Sequence, residues 1–455
     1  MPYQISYDSD SRLIISGLEC GCPYDHTDPN KDIYVGSGLI EKIPGYIKRR
    51  GLGTNCVLVA DNNTYEIAGR RVSETLKAAG LSVIECVICR EGKMEPDERA
   101  VGEVMLSIQP ETEFLVAVGS GSITDTTRVN AQRTGLPFVS VGTAPSMDGY
   151  TSAIAPLTFK GLKIHRKGPC PEIIVCDTEI LKTAPLDMIR SGVGDVLGKY
   201  IAKCDWKLGN IINDEPYCFV CGEIVTDAIE KLLANIDEIR EKTDKGMKIL
   251  VEALLLAGVT VLIIGNTRAV ASVEHNIAHY WEMMQMLRGK EAPAHGASVG
   301  VATLLAWPMF TRFANEDLSR LDLDAIRAKA ITREQREKWM IHAYGEANGE
   351  AIMEENPGDF LTWEEQERRI RRAQERFGEI KAAIDEMPKY EDIVAAMEKL
   401  GAQMTAEDCG VDRGLLSTSM HCAKDYRTRY TLFKLLDECG LLEKYLTDYP
   451  LDYKY

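Results

Sequence analysis

Phe114-Leu115-Val116-Ala117-Val118 runs straight into Gly119-Ser120-Gly121-Ser122-Ile123-Thr124-Asp125. An uninterrupted apolar pentad is the pattern of a strand buried on both faces. The glycines let the backbone turn sharply and approach a ligand closely. Apolar spacing from Ile123 to Thr134 predicts a helix, stopped by Gly135. The N–H groups of such a helix start point outward from the carboxyl end of a strand, where a phosphate is favoured. The dinucleotide fingerprint would carry a third glycine at position 124, and Thr124 stands there instead. The strand before and the helix after are what give the turn its meaning.

The same alternation continues on both sides. Arg12 to Ser16 reads as a strand, and so does Cys56-Val57-Leu58-Val59-Ala60, ending at Asp61. A helix from Thr64 to Ala79 stops at Gly80, a strand spans Leu81 to Ile88, and a helix spans Asp97 to Ile108. Two more strands follow, Pro137 to Val141 and Glu172 to Cys176. Strands separated by helices predict βαβ units and a mainly parallel, Rossmann-like sheet. Ligands gather at the carboxyl ends of such strands. Asp61, the glycine turn and Gly142-Thr143-Ala144-Pro145-Ser146 all stand at such ends. Asp61 has two readings. It accepts from a ribose 2′-hydroxyl, which favours NAD over NADP because a carboxylate repels a 2′-phosphate, or it caps the helix begun by Asn62-Asn63-Thr64.

From about residue 186 the pattern is helical to the end. Leu186 to Leu208, Tyr217 to Glu241, Met247 to Ile264, Val270 to Leu287 and His295 to Phe313 carry 3.6-period apolar spacing. The stretch 318–387 is dense in Glu, Arg and Lys and predicts solvated helices laced by i,i+4 ion pairs. The expected organisation is a nucleotide-binding α/β domain over 1–186 and a helical metal- and substrate-binding domain over 187–455. The active site is expected in the cleft between them.

Composition narrows the partners. There are 53 basic and 69 acidic residues, a net charge of −16, which argues against a nucleic acid or an anionic membrane. The first residues, Met1-Pro2-Tyr3-Gln4-Ile5-Ser6, have neither the basic nor the apolar region of a secretory signal. The most apolar run, Ala253 to Ile264, is too short to span a bilayer. Thirteen cysteines without such a signal fit a reducing cytoplasm. Cys86/Cys89 and Cys218/Cys221 are C-x-x-C pairs in apolar surroundings and read as core residues. Cys20-Gly21-Cys22 with His26 is more polar, and reads as a turn with incidental thiols rather than a metal site.

The chemistry concentrates further on. Three of only seven histidines, His275, His279 and His295, fall within twenty-one residues. His275 and His279 lie one helical turn apart on one face, while the neighbouring Glu274 faces away and reads as supporting. Asp195 sits in Gly192-Val193-Gly194-Asp195-Val196-Leu197-Gly198-Lys199-Tyr200. One carboxylate with two imidazoles and an open fourth position is the ligand set of a catalytic divalent ion. Either both members of the 275/279 pair bind the ion, or one binds while the other meets substrate. A nucleotide turn and an open metal site in one chain point to metal-assisted hydride transfer.

The combination of Gly119 to Asp125, Thr143-Ala-Pro-Ser-Met-Asp-Gly-Tyr-Thr-Ser152, Gly192 to Tyr200 with Asp205-Trp206, Glu274-His275 with His279, His295-Gly296 and Arg427-Thr-Arg-Tyr-Thr431 resembles the sn-glycerol-1-phosphate dehydrogenases. These belong to the iron-dependent alcohol dehydrogenase and dehydroquinate synthase superfamily, and the bacterial branch is the nearest. The resemblance implies reversible NAD(P)H-dependent reduction of dihydroxyacetone phosphate, in a cytoplasmic homodimer. Gly119, Gly121, Ser122, Ile123, Thr124, Asp125, Thr143, Ser146 and Ser152 would then hold NAD(H) or NADP(H). Asp195, His275 and His295 would bind one divalent ion. Asp148, Asp195 and His279 would contact the substrate, and Arg268 its phosphate. The mixed N/O ligand set suits Zn2+, Ni2+ and Fe2+ alike. Rival readings are a glycerol or polyol dehydrogenase, a dehydroquinate-synthase-like lyase, and a non-catalytic nucleotide-binding protein.

Overall fold

The computed structural model describes residues 3–24, 26, 31–92, 94–159, 162–356, 360–451 and 453. Two compact units divide the chain. The first holds residues 1–21, 25–196 and 219–266, and the second holds 22–24, 197–218 and 267–455. The division therefore departs from a single linear cut at 186. The helices of 219–264 go with the α/β unit.

In the first unit the named strands are β1 (Gln4–Tyr7), β2 (Leu13–Ser16), β3 (Asp32–Gly36), β4 (Asn55–Asp61), β5 (Ser82–Ile88), β6 (Phe114–Gly119), β7 (Phe138–Gly142), β8 (Ile154–Phe159), β9 (Leu162–Lys167) and β10 (Ile173–Asp177). Six of them form one sheet in the order β3-β10-β7-β6-β4-β5, and every pairing is parallel. β1–β2 and β8–β9 are separate antiparallel pairs. The longer helices of this unit are α1 (Ile43–Arg50), α2 (Arg70–Ala78), α3 (Glu98–Ser107), α4 (Gly121–Thr134), the start of α5 (Leu186–Asn213), α6 (Phe219–Leu233) and α7 (Asp244–Ile264).

The sheet forms because its central strands are apolar on both faces. Leu115, Val116, Ala117 and Val118 of β6 are fully buried, as are Val57, Leu58 and Val59 of β4. After β4 the chain moves outward to β5, then returns to lay β6 on the other side of β4. This reversal opens a crevice beyond the carboxyl ends of β4 and β6, the usual ligand position in an open α/β sheet. Asp61 ends β4 and Gly119 ends β6.

The edge strand β3 and the β8–β9 hairpin were not foreseen. β3 is only five residues, and the sheet partners that bury it lie more than a hundred residues downstream. α7 also exceeds expectation. It is 21 residues long with a mean hydropathy of 2.3 in its best window, long and apolar enough to cross a membrane, yet 83% of that window is buried inside the protein. It is a core helix that is hydrophobic on most sides.

The second unit holds the rest of α5 and the helices α8 (Val273–Leu287), α9 (His295–Phe313), α10 (Arg333–Tyr344), α11 (Glu346–Glu355), α12 (Trp363–Glu375), α13 (Phe377–Asp385), α14 (Tyr390–Leu400), α15 (Arg413–Cys422) and α16 (Leu432–Glu438). α8 packs against α9. It is tied to its surroundings by Tyr280 Oη to Ala343 O (2.7 Å), Asn276 Nδ2 to Ala423 O (2.8 Å) and Trp281 Nε1 to Ser419 Oγ (2.9 Å). The charged stretch forms surface helices with i,i+4 pairs such as Lys338–Glu334 and Arg371–Glu367. Trp339 and Ile370 anchor it inward.

Candidate active site

The glycine turn of the first unit is built as a ligand cradle. Gly119 O accepts from Thr143 N–H at 3.1 Å, which ties the ends of β6 and β7 together. α4 begins at Gly121 with no side-chain cap, so its first N–H groups have no partner from their own cap residue. Ile123 and Thr124 are buried. Ile123 therefore offers a nucleotide its backbone and not its side chain. The buried Thr124 hydroxyl has no protein partner among the described residues.

Asp125 is committed elsewhere. Its carboxylate pairs with the fully buried Arg128. Arg128 in turn donates to Gly149 O (2.7 Å), Tyr150 O (3.4 Å) and Ile154 O (3.3 Å). The expected cofactor contact at Asp125 is thus an ion pair that fixes the 149–154 loop, and Arg128 is a residue that sequence reading missed. Asp61 is a helix cap: its Oδ1 accepts from the N–H groups of Asn63 and Thr64, both at 2.8 Å. Of its two readings, the cap is the one the geometry fulfils. Ser152 Oγ is exchanged with Ile154 N and O at 2.9 Å, a local turn bond.

The same unit brings Asp148 and Asp195 together. Asp148 N–H donates to Asp195 Oδ2 at 3.0 Å, and Asp195 is fully buried. Ser191 Oγ donates to Ser146 O at 3.1 Å, and Tyr150 Oη to Ala144 O at 2.7 Å. The loop presses so closely on two helices that they need glycine there. A Cβ at Gly192 would lie 1.9 Å from Pro145 O, and one at Gly258 would lie 1.7 Å from Thr151 Oγ1.

The three histidines gather in the second unit. Ring centroids are 5.3 Å apart for His275–His295, 5.1 Å for His279–His295 and 6.1 Å for His275–His279. His275 Nδ1 lies 2.7 Å from Glu274 Oε1, which also accepts from Ser272 N–H at 2.8 Å. His295 Nδ1 lies 2.7 Å from Glu282 Oε1. Glu274 and Glu282 are both buried. A carboxylate only accepts, so Nδ1 is the donor of each pair, and in the neutral imidazole this leaves Nε2 as the lone-pair nitrogen. That is how proteins prepare histidines for a divalent ion. The donor chemistry fits one. Glu282 also approaches His279, with Oε2 3.6 Å from Nδ1. Glu282 was missed, although the spacing 275, 279, 282 marks a single helical face.

Arg268 is the clearest departure. It was expected to meet a phosphate, but its guanidinium is consumed within the protein. Nε donates to Glu215 Oε1 (2.7 Å), and Nη2 to Glu215 Oε2 (3.1 Å), Asp205 O (2.8 Å) and Tyr430 O (2.7 Å). It is 4% exposed. Asp205 receives Ser272 Oγ–H and Leu432 N–H, and burial raises its pKa to about 7.

Residues 34–185 match the family model described as iron-containing alcohol dehydrogenase. A glycerol-1-phosphate dehydrogenase (NAD(P)+) of Halalkalibacterium halodurans is 30% identical over 423 residues, which cover 92% of this chain and 96% of that protein. One from Geobacillus stearothermophilus is 28% identical and covers 93% and 97%. Among solved structures, a glycerol dehydrogenase from Schizosaccharomyces pombe superposes with TM-score 0.60 at 15% identity, covering 95% of this chain and 93% of that one. A sulfoacetaldehyde reductase from Bifidobacterium kashiwanohense, solved in complex with NAD+, gives TM-score 0.60 at 14% identity, covering 94% and 100%.

Proposed function

The chain belongs to the glycerol-1-phosphate dehydrogenase family, and on that premise we propose that it reduces dihydroxyacetone phosphate reversibly to sn-glycerol 1-phosphate with NADH or NADPH. One observation carries the metal-dependent chemistry: His275 and His295 each have Nδ1 held by a buried carboxylate. That arrangement wastes two buried acids unless the Nε2 atoms have a positive ligand.

In this reading Asp195, His275 and His295 hold the divalent ion, which when bound supplies a Lewis acid for the C2 carbonyl. A nicotinamide bound at the glycine turn would supply the hydride that C2 receives. The remaining work belongs to the chain. The glycine turn would hold the pyrophosphate by its backbone N–H groups, with Thr143, whose own N–H is spent on Gly119 O, and Ser146 lining the site. Asp148 orients the substrate, and its own backbone is held by Asp195. His279, beside Glu282, moves the proton to the C2 oxygen as the alcohol forms. Arg128 and Asp125 keep the 149–154 loop in place. The assembly proposed is a homodimer.

The test is NADH oxidation by metal-stripped protein with dihydroxyacetone phosphate, before and after adding zinc, nickel or iron(II). Restored turnover with sn-glycerol 1-phosphate as product is the expected result. Turnover only with unphosphorylated polyols or ketones would assign a different substrate. No hydride transfer under any condition would reject the reading.

A further inference from the structure

If Arg268 is consumed within the protein, the phosphate of the proposed substrate needs another cation. We propose that Arg429 is the phosphate-recognising residue, with Arg268 acting to hold the loop that carries it. This inference rests on the functional reading above and names the residue that sets its preference for a phosphorylated substrate.

The loop from Tyr426 to Thr431 lies in the second unit, between the turn 423–425 and α16. It is pinned at its far end. Tyr430 O accepts from Arg268, Tyr430 Oη donates to Glu438 at 2.6 Å, and Leu432 N–H donates to Asp205 at 2.7 Å. Its near end meets the histidines, since the Tyr426 ring lies 6.0 Å from that of His279. The loop thus starts at the proposed proton donor and ends on the Arg268 clamp, with Arg429 between.

Arg429 itself is bound only to neutral acceptors. Nη1 donates to Ala271 O, and Nη2 to Thr267 Oγ1 at 2.8 Å. Among the described residues no carboxylate lies within ion-pair distance of it. By contrast Arg369 reaches Glu438, Arg336 reaches Asp425, and Lys424 reaches Asp425 and Asp437. All three of these cations and Arg429 line one cavity of about 1080 Å³, which Trp363 of the charged helices also lines. Burial and the nearby guanidiniums of Arg268 and Arg427 lower the pKa of Arg429 to about 10. A cation under that pressure gains from an incoming anion. Glu274, the carboxylate that holds His275, is close enough to act on Arg429 through the field. Arg429 is therefore near the ligand helix without being neutralised by it. Its remaining N–H groups form the planar fork that suits a phosphate.

The test compares wild type with Arg429→Lys and Arg429→Met. The first measurement is the ratio of kcat/KM for dihydroxyacetone phosphate over dihydroxyacetone. The expected result is a fall of roughly 10- to 100-fold in that ratio, the size of one lost charge-assisted contact, with most of the change in KM. Metal content should stay at the wild-type level, and Lys should retain more of the ratio than Met. Equal loss on both substrates, or loss of metal, would overturn the proposal in favour of a structural role. An unchanged ratio would overturn it too. The second measurement is binding of inorganic phosphate by calorimetry, which does not depend on turnover. Wild type should bind it, and the Met variant should bind it at least 10-fold more weakly. If wild type binds phosphate through Arg429 but turns over no phosphorylated ketone, the substrate reading fails and the site assignment stands. If wild type reduces dihydroxyacetone phosphate and the variants bind phosphate as well as wild type does, this inference fails and the function stands.

Discussion

Glu282 Oε1 lies 2.7 Å from His295 Nδ1, and its other oxygen lies 3.6 Å from His279. One buried carboxylate thus serves an expected metal ligand and an expected proton donor. Glu282→Gln keeps the shape but can donate as well as accept, so the His295 tautomer is no longer fixed. The expected outcome is metal affinity weakened by about 10- to 100-fold with nucleotide binding intact. Competition against a chelator, alongside NADH fluorescence titration, reads both quantities. Unaltered metal affinity would mean that Glu282 does not orient a ligand.

Asp195 takes the N–H of Asp148 on one oxygen. Asp195→Ala removes a proposed metal ligand and releases the backbone of a proposed substrate contact in the same step. Turnover should fall by roughly 100-fold or more, while NADH still binds because the glycine turn is untouched. A folded Asp195→Ala protein with wild-type kcat/KM would exclude Asp195 from the site.

How much of this could be read from the chain follows from the range of each interaction. The buried strand 114–118 and the turn after it are local signals, and the sheet of β3 to β10 has the parallel form they predicted. His275, His279 and His295 sit on two consecutive helices, so their grouping was also legible. Arg268 was not. Its partners Glu215 and Tyr430 lie 53 and 162 residues away, and nothing nearby in sequence marks it as consumed. The division into units failed for the same reason, because α7 is assigned to the α/β unit by packing that no local pattern records. Asp61 is the instructive middle case. Both of its readings came from local sequence, and only the geometry decided for the cap.

The close approach at Gly192 gives a prediction of stability. Its added Cβ would meet Pro145 O at 1.9 Å, and a backbone oxygen cannot step aside as a side-chain tip does. Gly192→Ala should therefore cost about 1–3 kcal/mol or more in unfolding free energy, despite the better helix propensity of alanine. It should also impair turnover, because the loop that moves is the one from Ala144 to Ser152. Denaturant unfolding with an unchanged midpoint would show that α5 shifts freely.

If Arg268 is a clamp, its removal should damage folding before specificity. Arg268→Ala leaves Glu215 and the carbonyls of Asp205 and Tyr430 unsatisfied. The guanidinium is buried but the Glu215 carboxylate is 25% exposed, so breaking the pair costs on the order of 2–4 kcal/mol, below the fully buried range. The expected variant is less stable and loses activity on phosphorylated and unphosphorylated ketones in parallel. Retained stability with a selective loss on the phosphorylated one would return the phosphate contact to Arg268.

Glu85 offers a pH test in the α/β unit, away from the proposed chemistry. Hydrogen bonds from Lys77, Ser73 and Tyr65 lower its pKa from the ordinary 4.5 to about 2. Because the folded value lies below the unfolded one, the stabilisation is complete above about pH 4.5. It is lost as pH falls through about 2. The side chain is 27% exposed, so the full linkage value of roughly 3 kcal/mol must be discounted for solvent screening to about 1–2 kcal/mol. Glu85→Gln should then be less stable than wild type by that amount at pH 7, and the two should converge as pH approaches 2. The check is urea unfolding of both proteins across pH 2 to 7. A gap that stays constant across that range would mean that Glu85 acts through packing and not through its charge.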